Sequence, residues 1–216
     1  MGSADEAWGA LSHPWREAFG LAWQSFQAGS PGVGAVVVTS AGAIVARGRS
    51  RLRETVAPSG QLAGSRIAHA EINALATLPP ADRSDETLFT TLQPCFACTA
   101  AIVMSRLGAV RFAGRDPIWD CLDGIPGSHP LLAERWHKQD GPLEGPLAAW
   151  AALFPLVDLL ERSSGEPPAG AFRVYEPGLV TFAQQLLIDR RVRDLRTLPL
   201  GEAMSQLWRG LIACTA

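Results

Sequence analysis

One split cluster constrains this chain more than any other feature. It begins His69-Ala70-Glu71 and is completed, 26 positions after the histidine, by Pro94-Cys95-Phe96-Ala97-Cys98. One His and two Cys are a plausible three-ligand set for zinc, with a fourth coordination position left open. A glutamate two residues from the His is well placed as an acid/base group rather than as a ligand. Taken singly, each half has a plainer reading. His69 alone is a helix-start residue, and Glu71 alone a first-turn charge that suits the helix dipole. Cys95 and Cys98 alone are a structural zinc half-site or a redox pair. A structural zinc wants a fourth protein ligand, for which His129, His137 and Cys121 are the available residues.

Together the halves match the H-x-E…P-C-x-x-C signature of zinc deaminases. The chain therefore resembles the cytidine/deoxycytidylate deaminase superfamily, nearest the branch of tRNA adenosine deaminases and guanine deaminases. The resemblance covers about residues 31 to 113 well and 171 to 191 weakly. It implies an α/β fold, a three-layer α/β/α arrangement around a mixed five-stranded sheet, here with a helical insertion and an extra C-terminal helix. It implies one catalytic Zn2+ per chain, held by His69, Cys95 and Cys98. Glu71 would move protons from water to the ring nitrogen beside the reacting carbon, and then to the departing ammonia. The backbone N–H of Ala70 would contact the substrate base, an approach its small side chain permits. Family members commonly dimerise through the helices beside the zinc, so a homodimer is expected.

The chain departs from the family in two places. Many relatives carry an Asn shortly after the second strand, where its amide contacts the base or sugar; here the residue is Ser50. A serine hydroxyl donates one bond and cannot reproduce a two-point amide contact, and a turn residue is an equal reading of it. Gln93 stands before the Pro-Cys pair where relatives usually have Glu.

The chain's 216 residues suit one deaminase domain, with a core at about 12–113 and 171–191, an insertion at about 115–170 and a final helix at about 200–214. Apolar residues make up 47% and charged residues 19%, enough for a sizeable core in a soluble protein. A net charge of −2 gives no electrostatic footprint for nucleic acid. Four cysteines are too few for a disulfide scaffold, and neither a signal peptide nor a membrane span is visible, so a cytoplasmic protein is expected.

Along the chain, the first residues carry no clear signal. Ser12-His13-Pro14 reads as a helix start, followed by Phe19, Trp23 and Phe26 at helical spacing. Val33 to Thr39 and Ala43 to Gly48 read as a hairpin. A helix is expected from about Ala68 to Leu78, a polar turn over Asp82 to Glu86, and a strand from Thr87 to Leu92. A helix opened by Pro94-Cys95 and a strand over Ala109 to Ala113 complete a β-β-α-β-α-β order. Beyond these come a helical piece at Pro130 to Lys138, an apolar helix at Leu147 to Leu160 and a loop at Ser163 to Gly170. Arg173-Val174-Tyr175 reads as the fifth strand, and Pro177 to Arg191 as a helix.

For substrate, the sequence points to a small heterocycle: a nucleobase, a nucleoside or a relative of one. Relatives with His as third ligand act on adenosine in tRNA, guanine or deoxycytidylate, and His69 turns the reading away from free cytidine. Trp119 is a candidate stacking platform, with core packing as its plainer role. Asp116 and Asp120 are candidate acceptors for an amino group, with turn formation as theirs. Arg49, Arg51 and Arg53 are candidates for phosphate or a solvated edge, and the long 115–170 segment would act as a lid. Two rivals stand beside this reading. One is a tRNA-specific adenosine deaminase; the other is a non-catalytic protein whose zinc is structural.

Overall fold

The computed structural model describes residues 2–162 and 168–215. Helix α1 (Ala4–Ala10) is opened by a capping box in which Ser3 and Glu6 satisfy each other's backbone N–H. Helix α2 (His13–Gln27) starts after Ser12, with Pro14 in its first turn and His13 exposed. Strands β1 (Gly34–Val38) and β2 (Ile44–Arg49) form the expected antiparallel hairpin. Next come α3 (Ala70–Leu75), β3 (Arg83–Leu92), α4 (Phe96–Met104) and β4 (Leu107–Gly114). The sheet order is β2-β1-β3-β4-β5; β1 is antiparallel to both its neighbours, and β3, β4 and β5 run parallel.

The fifth strand is not where the sequence placed it. β5 is Lys138–Asp140, while Arg173-Val174-Tyr175 ends a helix, α7 (Pro168–Tyr175). The reason is local. Phe172 is buried, and its carbonyl accepts the Glu176 N–H at 2.7 Å, which closes a helical turn just before Pro177. Segment 115–170 thus contains the fifth strand instead of delaying it. It comprises a 3-10 stretch (Pro117–Ser128), α5 (Pro130–Arg135), β5 and α6 (Pro146–Arg162). Of the loop expected at 163–170, residues 163–167 lie outside the described residues and 168–170 open α7. Of the turn expected at 82–86, residues 83–86 are strand: buried Arg83 reaches Glu86 at 2.8 Å and begins β3 early.

Helices flank the sheet in layers. On one face α2 and α6 pack Phe19, Trp23, Phe26, Trp150 and Phe154 against Val36, Val38 and Phe89. Outside them lie α8 (Pro177–Ile188), α9 (Arg191–Leu195) and α10 (Leu200–Cys214), whose Leu179, Leu186, Met204, Leu207 and Leu211 join the same core. The C-terminal helix therefore covers the core. On the other face α3 and α4 enclose Ala35, Val37, Leu88, Ile102 and Val110. Helix α6 is a wall of the first core and not a lid, since Trp150, Leu153, Leu156 and Val157 are all buried. Among the described residues no helix is long and apolar enough to cross a membrane.

Candidate metal centre and substrate cavity

Both half-motifs sit at helix starts on the same face of the sheet. His69 is the N-cap of α3 and Cys95 the N-cap of α4; both have extended backbones, and neither side chain caps its own helix. Their side chains are thus free to face each other. Gly48 on β2 makes this possible for α3. A Cβ there would stand 2.2 Å from the Ala70 carbonyl oxygen and 2.3 Å from the Ala74 nitrogen, so only glycine allows this approach. Asn73, fully buried, holds the 50–65 loop against the helix by accepting from Leu62 N and donating to the Arg49 and Leu62 carbonyls.

The three donors converge. Cys95 Sγ lies 3.4 Å and Cys98 Sγ 3.3 Å from His69 Nδ1, and the sulfurs are 3.6 Å apart. A tetrahedral zinc spaces such donors roughly 3.5–3.8 Å apart, so the set fits the ion to a few tenths of an ångström. Among the described residues no further His, Cys or carboxylate joins this group. Cys121 is exposed, His129 caps α5 and His137 lines a different cavity, so none closes the site. The Cys98 thiol, hydrogen-bonded to the Cys95 sulfur, holds Cys95 down at about 4 against the opposing effect of burial, with His69 adding to the effect. Cys95 is therefore a thiolate at neutral pH, the form that binds a cation.

Glu71 lies beside this group, 3% exposed. Its Oε1 accepts from the Thr90 hydroxyl at 2.9 Å and its Oε2 lies 3.3 Å from Cys98 Sγ. Burial pushes its carboxyl above the usual range, partly offset by His69. His69, Cys95 and Glu71 edge a cavity of about 180 Å³, lined also by Pro31, Val33, Ser50, Leu52, Ala70, Leu92, Gln93, Asp116, Trp119 and Pro155, while Cys98 lies buried behind them. That volume suits one flat ring system, below the ~300–1,000 Å³ usual for larger ligands.

Of the sequence candidates, Ala70, Ser50, Asp116 and Trp119 line this cavity and Asp120 does not. Asp120 pairs with Arg115 and lines a neighbouring cavity of about 650 Å³ together with Trp136 and His137. Ser50 is buried and its hydroxyl has no partner, while its backbone is bonded at both ends, to Val33 O and from Ser25 Oγ. Asp116 is buried; loss of hydration raises its carboxyl to about 7, against the Ile118 N–H that it accepts. Gln93 separates the two cavities. Its carbonyl accepts the Asp116 N–H at 3.1 Å and its amide reaches Asp120 at 3.5 Å. A glutamate there could not donate to Asp120, which gives the family departure a physical reason. The three arginines are committed elsewhere: Arg49 and Arg51 pair with Glu54, and Arg53 with Asp158 at 2.7 Å. Sequence reasoning missed Thr90, Leu52 and Pro155, which reach the site from distant parts of the chain.

Comparison with known proteins agrees with this geometry. Residues 12–113 match the family described as the cytidine and deoxycytidylate deaminase zinc-binding region. The chain is 34% identical over 136 residues to a tRNA-specific adenosine deaminase of Bacillus subtilis, covering 61% of this chain and 78% of that protein. It is 36% identical over 124 residues to a tRNA(Ile)-lysidine synthase of Deinococcus radiodurans, covering 56% of this chain but only 19% of that much longer protein. Among solved structures, a guanine deaminase from Nitrosomonas europaea is similar at 21% identity and a TM-score of 0.48, covering 67% of this chain and 84% of that one. On the family match over residues 12–113 and the 34% identity to the Bacillus subtilis protein, with the donor triad in place, the chain belongs to the zinc-binding cytidine and deoxycytidylate deaminase family.

Proposed function

We propose that this protein is a hydrolytic deaminase of a small nucleobase, nucleoside or related heterocycle, replacing an exocyclic amino group by a carbonyl and releasing ammonia. The observation that carries the reading is a buried Glu71 carboxyl beside the His69/Cys95/Cys98 set, at the edge of a ring-sized cavity that no Arg or Lys lines. Zinc bound by those three residues supplies a Lewis acid and lowers the pKa of a coordinated water towards about 7. Glu71 takes a proton from the attacking water and gives it to the ring nitrogen beside the reacting carbon. It then carries the remaining proton to the amino group, which leaves as ammonia while the carbonyl forms. Overall one water is consumed and one ammonia released.

The rest of the cavity orients the ring. Ala70 offers its backbone N–H at the start of α3, Trp119 offers a face for stacking, and Ser50 and Asp116 offer polar contacts to the ring edge. The Asp116 carboxyl, raised to about 7, both donates and accepts near neutrality. Exposed Phe96 and Met104 on α4 support a homodimer through the helices beside the site.

Similarity to the adenosine deaminase of Bacillus subtilis favours a second reading, deamination of adenosine within tRNA. The net charge of −2 and the self-paired arginines weigh against it. The two readings separate on a panel of bases, nucleosides, nucleotides and an anticodon stem-loop, scored by ammonia release from zinc-loaded protein. The proposal expects release from a small uncharged heterocycle. Release from the stem-loop alone, with salt-sensitive binding, would replace it by the tRNA reading.

A further inference from the structure

We infer that Thr90 is a positioning residue that holds the Glu71 carboxyl for proton transfer, an inference that rests on the deaminase reading above. β3 is a central strand, paired to β1 on one side and β4 on the other, with Thr90 opposite Ala35 and Phe112. Strand alternation puts Thr90 on the face of Leu88, beneath α3, and it is completely buried. A hydroxyl at this place in an apolar layer needs a partner, and the partner is Glu71 Oε1 at 2.9 Å.

The consequence lies in which oxygen is tied. Glu71 has no basic side chain paired with it among the described salt bridges, so charge pairing does not fix its rotamer. Oε2 is the oxygen turned to the donor set, 3.3 Å from Cys98 Sγ. Once Cys98 ligates a metal as thiolate it has no proton to donate, and the Thr90 hydroxyl remains as a side-chain donor to this carboxylate. Tying Oε1 to the rigid sheet leaves Oε2 free to take and give protons along one fixed direction. Without the hydroxyl the carboxyl swings on its stem, and misplacement of a proton carrier lowers turnover more than it weakens substrate binding. The adjacent Thr91 has a different role: its hydroxyl accepts the Gly34 N–H at 3.1 Å and fastens β3 to β1.

The test uses full-length, zinc-loaded protein in three forms: wild type, Thr90→Val, which keeps the shape and removes the hydroxyl, and Thr90→Ser, which keeps the hydroxyl. Two readouts are taken. Steady-state kinetics on the heterocycle that the wild type turns over should show kcat falling by about 10- to 100-fold in Thr90→Val with KM within about twofold, and Thr90→Ser returning most of the loss. The 13C resonance of the Glu71 side-chain carboxyl, assigned by its disappearance in Glu71→Gln, should move in Thr90→Val and stay in Thr90→Ser. Equal kcat in all three proteins, or a resonance unmoved by Thr90→Val, would overturn the inference while leaving the deaminase reading intact. If wild type turns over nothing, the deaminase reading is what fails, and the resonance alone decides whether Thr90 holds the carboxyl.

Discussion

Alternate residues of β1 point into two different interiors. Val36 and Val38 join the aromatic core of Phe19, Trp23, Trp150 and Phe154, whereas Ala35 and Val37 lie under α3 and α4. The first interior is thick: α8 and α10 close over α2 and α6 with further leucines. The second is thin and holds the buried polar residues Glu71, Asn73 and Thr90 beside the donor set. A buried carboxyl and a cluster of metal donors are costly to fold around, and the apolar area on the other face of the same strands offsets that cost. The difference teaches that stability and chemistry are divided across one sheet, so each should be separable by mutation.

Loss of a donor should have the largest effect on the chemical face. Cys98→Ala should reduce zinc, measured by elemental analysis, to background and abolish deamination. Its circular dichroism should stay that of a folded protein, because the thick core does not involve Cys98. Unfolding of this variant would break the comparison. The converse experiment is Trp150→Ala, which removes a ring packed on Trp23 and Phe154. It should cost about 3–5 kcal/mol in denaturant unfolding, with zinc per folded chain unchanged.

Acid should probe a third place, the rim formed by β5. Burial lowers His137 to about 4 from its ordinary 6.5. The unfolded chain takes up this proton as the pH falls through 6.5, while the folded protein resists until about 4. Stability is thus lost downward across that window, by about 3 kcal/mol in all. His137→Gln should flatten the wild-type slope of unfolding free energy between those pH values by that amount; an unchanged slope would show that His137 is not buried as described. The smallest effect is expected at Ser50. Ser50→Ala removes a hydroxyl with no protein partner, so stability should rise or hold within ~1 kcal/mol. A contact to substrate would appear instead as a higher KM.

How much was legible in the sequence follows from the range of each interaction. The donor set was readable because each half is local, a His-x-Glu and a Cys-x-x-Cys, and each half starts its own helix. The hairpin and α10 were readable from their apolar patterns. β5 was not, since Lys138-Gln139-Asp140 is a three-residue edge strand, exposed throughout, with no apolar alternation to mark it. Val174 and Tyr175 carry strand propensity, yet buried Phe172 and the helical turn before Pro177 override it. The capping box at Ser3 and Glu6 was a readable helix start that the opening residues' plain composition obscured. Thr90 and Glu71 are 19 residues apart and meet only through the sheet, and nothing in the local pattern of Leu88-Phe89-Thr90-Thr91 announces that contact.

The central claim is that Glu71, next to the zinc donors and not one of them, moves the protons of a deamination. Glu71→Gln keeps the size of the side chain and removes its proton-carrying carboxylate, so it addresses that claim most directly. Zinc content and ammonia release would be measured on the same preparations of wild type and variant. The account predicts equal zinc in both and a drop in turnover of about 100-fold or more in the variant. A variant that keeps its zinc and turns over within about twofold of wild type would contradict it, because general acid/base catalysis by a residue is worth far more than that.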